Sequence, residues 1–404
     1  MIDPAKLGIG RQEYYLEQLA RSHDEYLSGH GEAPGYTLGE AWSAFGISGE
    51  VTPEQFERAF VGEHPDTGEL LGRAHRGSDG VLAFDWVFRA TKSLGLLYGL
   101  GTPEMSRVAT DAHQRGMRDA LAYLEKFATV RRGRNGVEKV SCSGLWCVGF
   151  DHRASRPGDP LPHTHVIVIN RAQGPDGRWT ALDARPLFVE LKNADAIYRA
   201  GYQREVTRQL GLEWGPPDAE GNRELVGLPD EVLRHFSKAR CAIEEELEHR
   251  EAQGLPVTPA VANFVAHAVR EDKHHEAAPS QFRRWSDEAA AKGWDLPALF
   301  ERLRGRVRVQ NHLPAAERKA IFDQLAGGGG LTAEKSTFTR GHVIRAIANQ
   351  VATLSAEEIE TLADRFLAER ACQVMIDTRT LAQRYSTPEL LELEKLIIEQ
   401  AATA

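Results

Sequence analysis

Three histidines constrain this chain more than any other feature. His152, His163 and His165 sit in the segment FDHRASRPGDPLPHTHVIVIN. His163-Thr164-His165 opens a run, residues 166–169, that reads as a buried strand. Residues two apart on a strand share a face, so both imidazoles point the same way. The stretch before His152, LWCVGFDH, reads as a second strand. Residues 153–162 lie between, with Pro157-Gly158-Asp159-Pro160 as turn chemistry. A hairpin with that connection sets His152 beside His163. Three neutral imidazoles then converge on one point, which is how a protein holds a borderline divalent metal while leaving positions open for substrate. A lone histidine in a strand is ordinarily a packed or surface residue, and H-x-H by itself is a weak pattern. The third histidine at the base of the hairpin is what turns it toward a metal.

The chain of 404 residues is long enough to bury two or three domain cores. It has no apolar run long enough to span a membrane, and its start, MIDPAKLGIGRQEYY, lacks the apolar stretch of a secretion signal. The four cysteines, Cys142, Cys147, Cys241 and Cys372, are scattered and fit no zinc spacing, which points to reduced thiols and a cytoplasmic protein. The net charge of −9 argues mildly against a nucleic-acid partner, but charge segregation matters more than the sum. Residues 126–178 hold nine Lys or Arg against four acids. The only clearly basic stretch therefore flanks the histidines, although Arg131-Arg132-Gly133-Arg134 also suits a solvated loop.

Hydrophobic periodicity predicts a helix from the start to about Tyr26, then a Gly/Pro loop over 29–39. Thr52-Pro53-Glu54 and Thr102-Pro103-Glu104 are helix starts. Strands are expected at 81–90, with Asp85 inside, then at 140–151, 163–170 and 179–182; a helix follows over 186–212, and nearly everything beyond reads helical. That pattern predicts an α+β fold, a central antiparallel sheet flanked by helices over 1–290, with a mainly helical extension over 291–404. The stretch from Gly329 to Glu334-Lys335-Ser336 is a near-miss for a phosphate-binding loop. A carboxylate stands where glycine must let backbone approach phosphate, so nucleotide binding is rejected there.

The histidine segment resembles the HUH motif of conjugative relaxases of the TrwC/TraI type, also called MobF. Other segments agree in the same order. Tyr14-Tyr15 followed by Tyr26 resembles the N-terminal tyrosine set; FDWVFRATKS, with Asp85, Lys92 and Ser93, resembles FDLTFSAPKS; Arg156-Pro157-Gly158-Asp159-Pro160 leading to His163-Thr164-His165 resembles SRxxDPxxHTH. Asp176-Gly177-Arg178-Trp179 and Phe236-Ser237 match as well, so the resemblance covers most of 1–275. It implies an enzyme that nicks one DNA strand by attack of a tyrosine oxygen on a phosphodiester, leaving a 5′-phosphotyrosine adduct and a free 3′-hydroxyl, and later rejoins the strand.

The same resemblance assigns roles. Tyr14 is the first choice of nucleophile and Tyr15 the second. A helical wheel favours Tyr15 as the partner of Tyr26, if one helix runs through both. Tyr26 would serve a second cleavage; Leu27 follows it where the family often has another tyrosine. Asp85 is the catalytic acid, either fixing the tautomer of a metal-bound imidazole or helping to deprotonate the tyrosine. Arg156 and Lys92 are candidate phosphate ligands, with Arg153, Arg131, Arg132 and Arg178 as further DNA contacts. Arg89 and Thr91 replace the family's serine and proline beside Lys92. Trp42, Trp86 and Trp146 are candidate stacking aromatics, though each better suits a core, and His274-His275 reads as exposed and unligated.

The implied cofactor is a divalent metal, Mg²⁺ or Mn²⁺ first and Zn²⁺ as an alternative. The implied partners are single-stranded and hairpin DNA at an origin of transfer, relaxosome accessory proteins and a type IV secretion coupling protein, without membrane insertion. The protein would work in the donor cytoplasm and travel with the DNA. The family usually continues into a helicase. Here no phosphate-binding loop is present and residues 385–401 resemble the helix before that motor, so nicking and rejoining without unwinding are expected. Two alternatives remain: a rolling-circle initiator or transposase of the HUH superfamily, whose tyrosines typically follow the histidines, and a non-catalytic origin-binding module.

Overall fold

The structure is a computed structural model and describes residues 1–8, 10–16, 34–73, 80–268, 277–309, 312–377 and 382–403. Tyr26 and His274-His275 lie outside the described residues. The strands that matter are β1 (Ile2–Leu7), β2 (Gly35–Leu38), β3 (Glu50–Val51), β4 (Ala83–Arg89), β5 (Thr129–Arg132), β6 (Glu138–Ser141), β7 (Cys147–Ala154) and β8 (Pro160–Ile169). Six of them form one sheet in the order β1-β4-β8-β7-β2-β3, antiparallel throughout. β5 and β6 form a separate hairpin.

Both faces of this sheet are covered, which is why β4 and β8 read as nearly continuous apolar runs instead of alternating ones. Phe84, Trp86, Phe88, Val166 and Val168 pack into the larger core with the long helices. Ala83, Val148, Phe150, Ile167 and Ile169 face the other way, into a core shared with Tyr15, Trp42, Phe56 and Phe60. Each such large side chain contributes about 1.5–3 kcal/mol when fully buried. Trp42, Trp86 and Trp146 are all core residues, at most 2% exposed.

In chain order the helices around the sheet are α1 (Glu13–Leu16), α2 (Pro53–Val61), α3 (Lys92–Leu100), α4 (Pro103–Glu125) and α5 (Ala184–Leu210), of which α2 and α4 begin at the Thr-Pro-Glu starts read from the sequence and α5 lies within two residues of its expected bounds. Thr52 caps α2 through a reciprocal box with Gln55, and the Thr102 hydroxyl accepts from the Met105 N–H at the start of α4. α4 and α5 touch through their backbones. A Cβ on Gly201 would stand 2.7 Å from Gly116 Cα, and one on Gly116 would stand 2.4 Å from Tyr198 O, so only glycine permits this approach. Helices Arg340–Gln350 and Ala356–Arg370 pack on α5 in turn, and their buried side chains continue the larger core. No described helix is long and apolar enough to cross a membrane.

The structure departs from the sequence reading in four places. Residues 2–7 are an edge strand and not helix: only Ile2 and Leu7 are buried, and Pro4 is tolerated because an edge strand has one unpaired side. The expected loop at 29–39 contains β2 in its described part, since Tyr36 to Leu38 pair with β7. The single strand expected at 140–151 is two, β6 and β7, with a turn containing Gly144 at φ 111 between them. The extension is not wholly helical, because Cys372–Ile376 and Gln383–Ser386 form an antiparallel pair. Tyr385 accordingly lies in a strand, and the terminal helix spans Pro388–Thr403.

Candidate active site

β7 and β8 are joined by a connection shorter than the sequence suggested. The Ser155 N–H donates to Asp159 O, the Gly158 N–H to Ser155 O, and the Asp159 N–H to Ser155 Oγ. Gly158 adopts φ 81, which glycine alone reaches without strain. The register this turn sets pairs His152 with His163 and Phe150 with His165. β4 pairs Asp85 with Ile167 and Val87 with His165. Side chains directly opposite in an antiparallel pair share a face, so the three histidines and Asp85 all lie on the side covered by the N-terminal segment.

The three imidazoles form the cluster the sequence called for. Their ligand atoms lie within 4.8 Å of one another, and the ring centroids are 4.9 to 5.5 Å apart. His152 is buried; His163 and His165 are half-buried. Hydrogen bonds fix two of the tautomers. His165 Nδ1–H donates to Asp85, 2.8 Å to Oδ2 and 3.0 Å to Oδ1. His163 Nδ1–H donates to Leu161 O at 2.9 Å. Carboxylate and carbonyl oxygens only accept, so in each neutral ring the proton sits on Nδ1 and Nε2 is the nitrogen with the chemistry of a metal ligand. Three neutral nitrogens arranged this way, with one carboxylate behind them, fit a divalent ion held through His152, His163 and His165.

The tyrosine pair sits above this centre on α1. The Tyr15 hydroxyl donates to Asp85 Oδ2 at 2.8 Å. Its ring is 5% exposed, stacked 5.6 Å from Phe150 and edge-on to Phe56 and His165. Burial first, and then the charge of Asp85, push the Tyr15 phenol well above its usual range. Tyr14 is half-buried and meets Tyr15 edge-to-face at 5.1 Å. Asp85 is thus a two-way acceptor, with a phenol on one side and an imidazole on the other.

The basic candidates are distributed more widely. Arg153 is buried and Arg156 half-buried, both in or beside the histidine hairpin. Lys92 is half-buried with Nζ on Pro160 O at 3.3 Å, and burial brings its ammonium down to about 8 despite Asp159 and Glu224 nearby. Arg131 pairs with Asp183 at 3.1 Å. Arg132 and Arg178 converge on Asp176 at 2.7 to 3.0 Å and hold its carboxyl well below the usual carboxylate range. Arg132 braces the β5–β6 hairpin against the 176–180 turn, Arg178 closes that turn on Asp176, and Arg131 ties β5 to Asp183.

Several contacts that shape the site join partners that no sequence signal connects. Asp159, almost fully buried, accepts from the Lys238 backbone N–H at 2.8 Å and pairs with Lys238 Nζ at 3.2 Å. Trp285 Nε1–H and Arg284 both donate to Gly158 O, at 2.7 and 2.9 Å. Helices Lys238–Ala252 and Ala278–Ala291 therefore grip the connection between the histidine strands. Behind the sheet, Thr164 faces away from its two neighbours. His113 bridges Thr164 Oγ1 at 2.8 Å and the Tyr198 hydroxyl at 2.7 Å. Asp151, its carboxyl raised by burial, accepts from Thr164 and from the Tyr36 hydroxyl.

An antiparallel sheet carrying three histidines and one carboxylate under a tyrosine-bearing segment defines a relaxase-type domain. Solved structures share the fold: the conjugative relaxase TrwC with origin-of-transfer DNA in its copper-bound form superimposes with a TM-score of 0.63 at 24% identity, covering 73% of this chain and 99% of that one. TrwC complexed with a 27-mer DNA comprising the recognition hairpin and the cleavage site gives 0.62 at 22%, again over 73% and 99%. Residues 9–292 match the model of the TrwC relaxase family, and the chain belongs to that family. The multifunctional conjugation protein TraI of Escherichia coli is 28% identical over 330 residues, 76% of this chain. TraI of strain K12 is 27% identical over the same length. The chain spans only 18% of the length of these relatives.

Proposed function

We propose that this chain is a metal-dependent, strand-specific DNA nicking and rejoining enzyme acting at an origin of transfer. The observation that carries the reading is the connected set Tyr15–Asp85–His165, joined to His152 and His163 in a three-nitrogen cluster. A buried structural polar network has no need of three imidazoles whose ligand atoms converge within 4.8 Å of one another, whereas metal-assisted phosphodiester chemistry does.

In this reading His152, His163 and His165 would hold the divalent ion, which when bound would supply electrostatic stabilisation of a phosphate undergoing attack. Asp85 keeps His165 in the tautomer that presents Nε2 and fixes its ring. Tyr14 is the nucleophile: its oxygen bonds to phosphorus as the bond to the 3′-oxygen breaks, and the phenolic proton leaves as the 3′-hydroxyl gains one. The Tyr15 hydroxyl is turned to the rear of the Asp85–His165 pair, at Nδ1, and serves to hold Asp85. The phosphotyrosine conserves the phosphodiester's energy, so attack by a 3′-hydroxyl rejoins the strand without a nucleotide cofactor. Tyr26 is assigned the second transfer.

The ion proposed is Mg²⁺ or Mn²⁺. Single-stranded and hairpin DNA at the origin of transfer, relaxosome accessory proteins and a secretion coupling protein are the proposed partners, with the protein in the donor cytoplasm until it leaves with the DNA. Residues 1–290 are proposed as the catalytic unit and 291–404 as an extension. The test is a covalent protein–DNA adduct on a denaturing gel, after incubation with Mn²⁺ and single-stranded oligonucleotides tiling the DNA around the gene. Binding without any adduct sinks the enzymatic reading.

A further inference from the structure

Beyond the segment that matches the relaxase family, Arg304, Arg306 and Arg308 alternate in the stretch RGRVR. This stretch leaves helix Leu296–Leu303 and runs against the C-terminal end of α5. The Gly305 N–H donates to Leu210 O at 2.9 Å and the Val307 N–H to Gly211 O at 3.0 Å. Gly211 sits at φ 64, and a Cβ there would stand 2.7 Å from Gly305 Cα. Residues 305 and 307 therefore turn their backbone donors to the helix, and Arg306 and Arg308 remain exposed.

A cavity of about 450 Å³ opens along this seam, lined by Arg204 and Arg208 of α5 and by Arg304 and Arg308 of the stretch. Among the described residues no carboxylate lines it. Arg304 is tied to Glu104 at 2.6 Å and Arg208 to Glu205 at 2.5 Å, which holds both heads in place. Arg306 and Arg308 have no ion pair or hydrogen bond among the described residues. The end of a helix is normally a poor place for an anion, because its last carbonyls are bare and its dipole is negative there. Here the carbonyls of Leu210 and Gly211 are occupied by Gly305 and Val307, and the exposed Arg306 and Arg308 add positive charge beyond the Arg304 and Arg208 ion pairs. Planar guanidinium forks match phosphate oxygens two at a time.

The cavity is not part of the histidine centre. Tyr198 of α5 meets His113 behind Thr164, on the side of the sheet away from the three imidazoles. The cavity lies a further stretch of roughly 18 Å along that helix, at about 1.5 Å per residue. We propose that this arginine-lined groove is a second nucleic-acid site, taking the phosphodiester backbone of single-stranded DNA away from the point of cleavage. The proposal rests on the single-stranded DNA substrate argued above.

The test uses the full chain and its Arg208→Ala/Arg308→Ala variant, both exposed positions outside the cleavage centre. Binding of a fluorescein-labelled thirty-nucleotide oligothymidylate is followed by anisotropy across a salt series. Each phosphate contact on a single strand contributes about 0.7 to the slope of log affinity against log salt, so losing two lowers the slope by about 1.4 and the affinity by roughly tenfold at moderate salt. Unchanged affinity and slope overturn the proposal. So does a loss confined to poly-L-glutamate or to inorganic phosphate, which would make the groove a site for an acidic protein or a free anion. Covalent adduct formation is measured in parallel. An adduct retained with unchanged oligothymidylate binding removes the groove alone, and an adduct absent from the parent chain removes the relaxase reading instead.

Discussion

His165 donates its Nδ1 proton to Asp85 at 2.8 Å, and that bond decides which imidazole nitrogen faces the other two histidines. Replacing Asp85 with Asn keeps the shape but weakens the acceptor and allows the ring to turn. Loss of such an outer partner typically lowers metal affinity 10–100-fold. Titration of the Asp85→Asn variant with Mn²⁺, followed calorimetrically, should show a drop in that range with the fold intact by circular dichroism. Affinity equal to the parent's would mean that Asp85 does not orient the ring.

The two adjacent tyrosines should behave differently. Tyr14→Phe removes the proposed nucleophile, and the covalent adduct on a denaturing gel should disappear. Tyr15→Phe removes one hydrogen bond to a buried carboxylate, a change that costs about 1–3 kcal/mol in stability. Adduct formation should persist at a reduced rate. The opposite pattern, with the adduct lost in Tyr15→Phe alone, would transfer the nucleophile to the buried phenol and make Asp85 its base.

Chelation separates binding from chemistry. With EDTA the adduct should be lost, while non-covalent oligonucleotide binding, which depends on arginine and lysine contacts, should fall by less than threefold at constant ionic strength. Mn²⁺ added back should restore the adduct. His163→Ala removes one of three ligands and should require a much higher Mn²⁺ concentration for any adduct to form.

The histidine centre was legible because its logic is local. H-x-H on a strand needs only the period of two, and His152 needs only a hairpin. Asp85 was legible through a family resemblance, and its register opposite Ile167 then placed it on the histidine face. What stayed hidden depends on distant chain. Nothing in Asp159 announces Lys238, and nothing in Gly158 announces Trp285 and Arg284. β1 was missed because an edge strand with two buried side chains has no periodicity to detect. The strand pair Cys372–Ile376 and Gln383–Ser386 was missed for the opposite reason: the surrounding segments are strongly helical, and a short exposed pair between them reads as more of the same.

His113 offers a pH test on the face of the sheet opposite Tyr14 and Tyr15. It is buried between Tyr198 and Thr164, and burial, helped by the N-terminal charge, brings its pKa down to about 3. In the unfolded chain a histidine titrates near 6.5. Between these values the unfolded state binds the proton and the folded state does not. Stability from this residue is therefore fully present above about pH 6.5 and is lost progressively as pH falls toward 3. At pH 5 the loss is about 2 kcal/mol. Urea unfolding at pH 7 and pH 5 should show a fall of that order in the parent. In His113→Gln, which keeps a polar side chain without the titration, stability at pH 7 should be lower than the parent's, and the difference between the two pH values should shrink by about the same 2 kcal/mol. An undiminished difference would place the acid sensitivity in other groups.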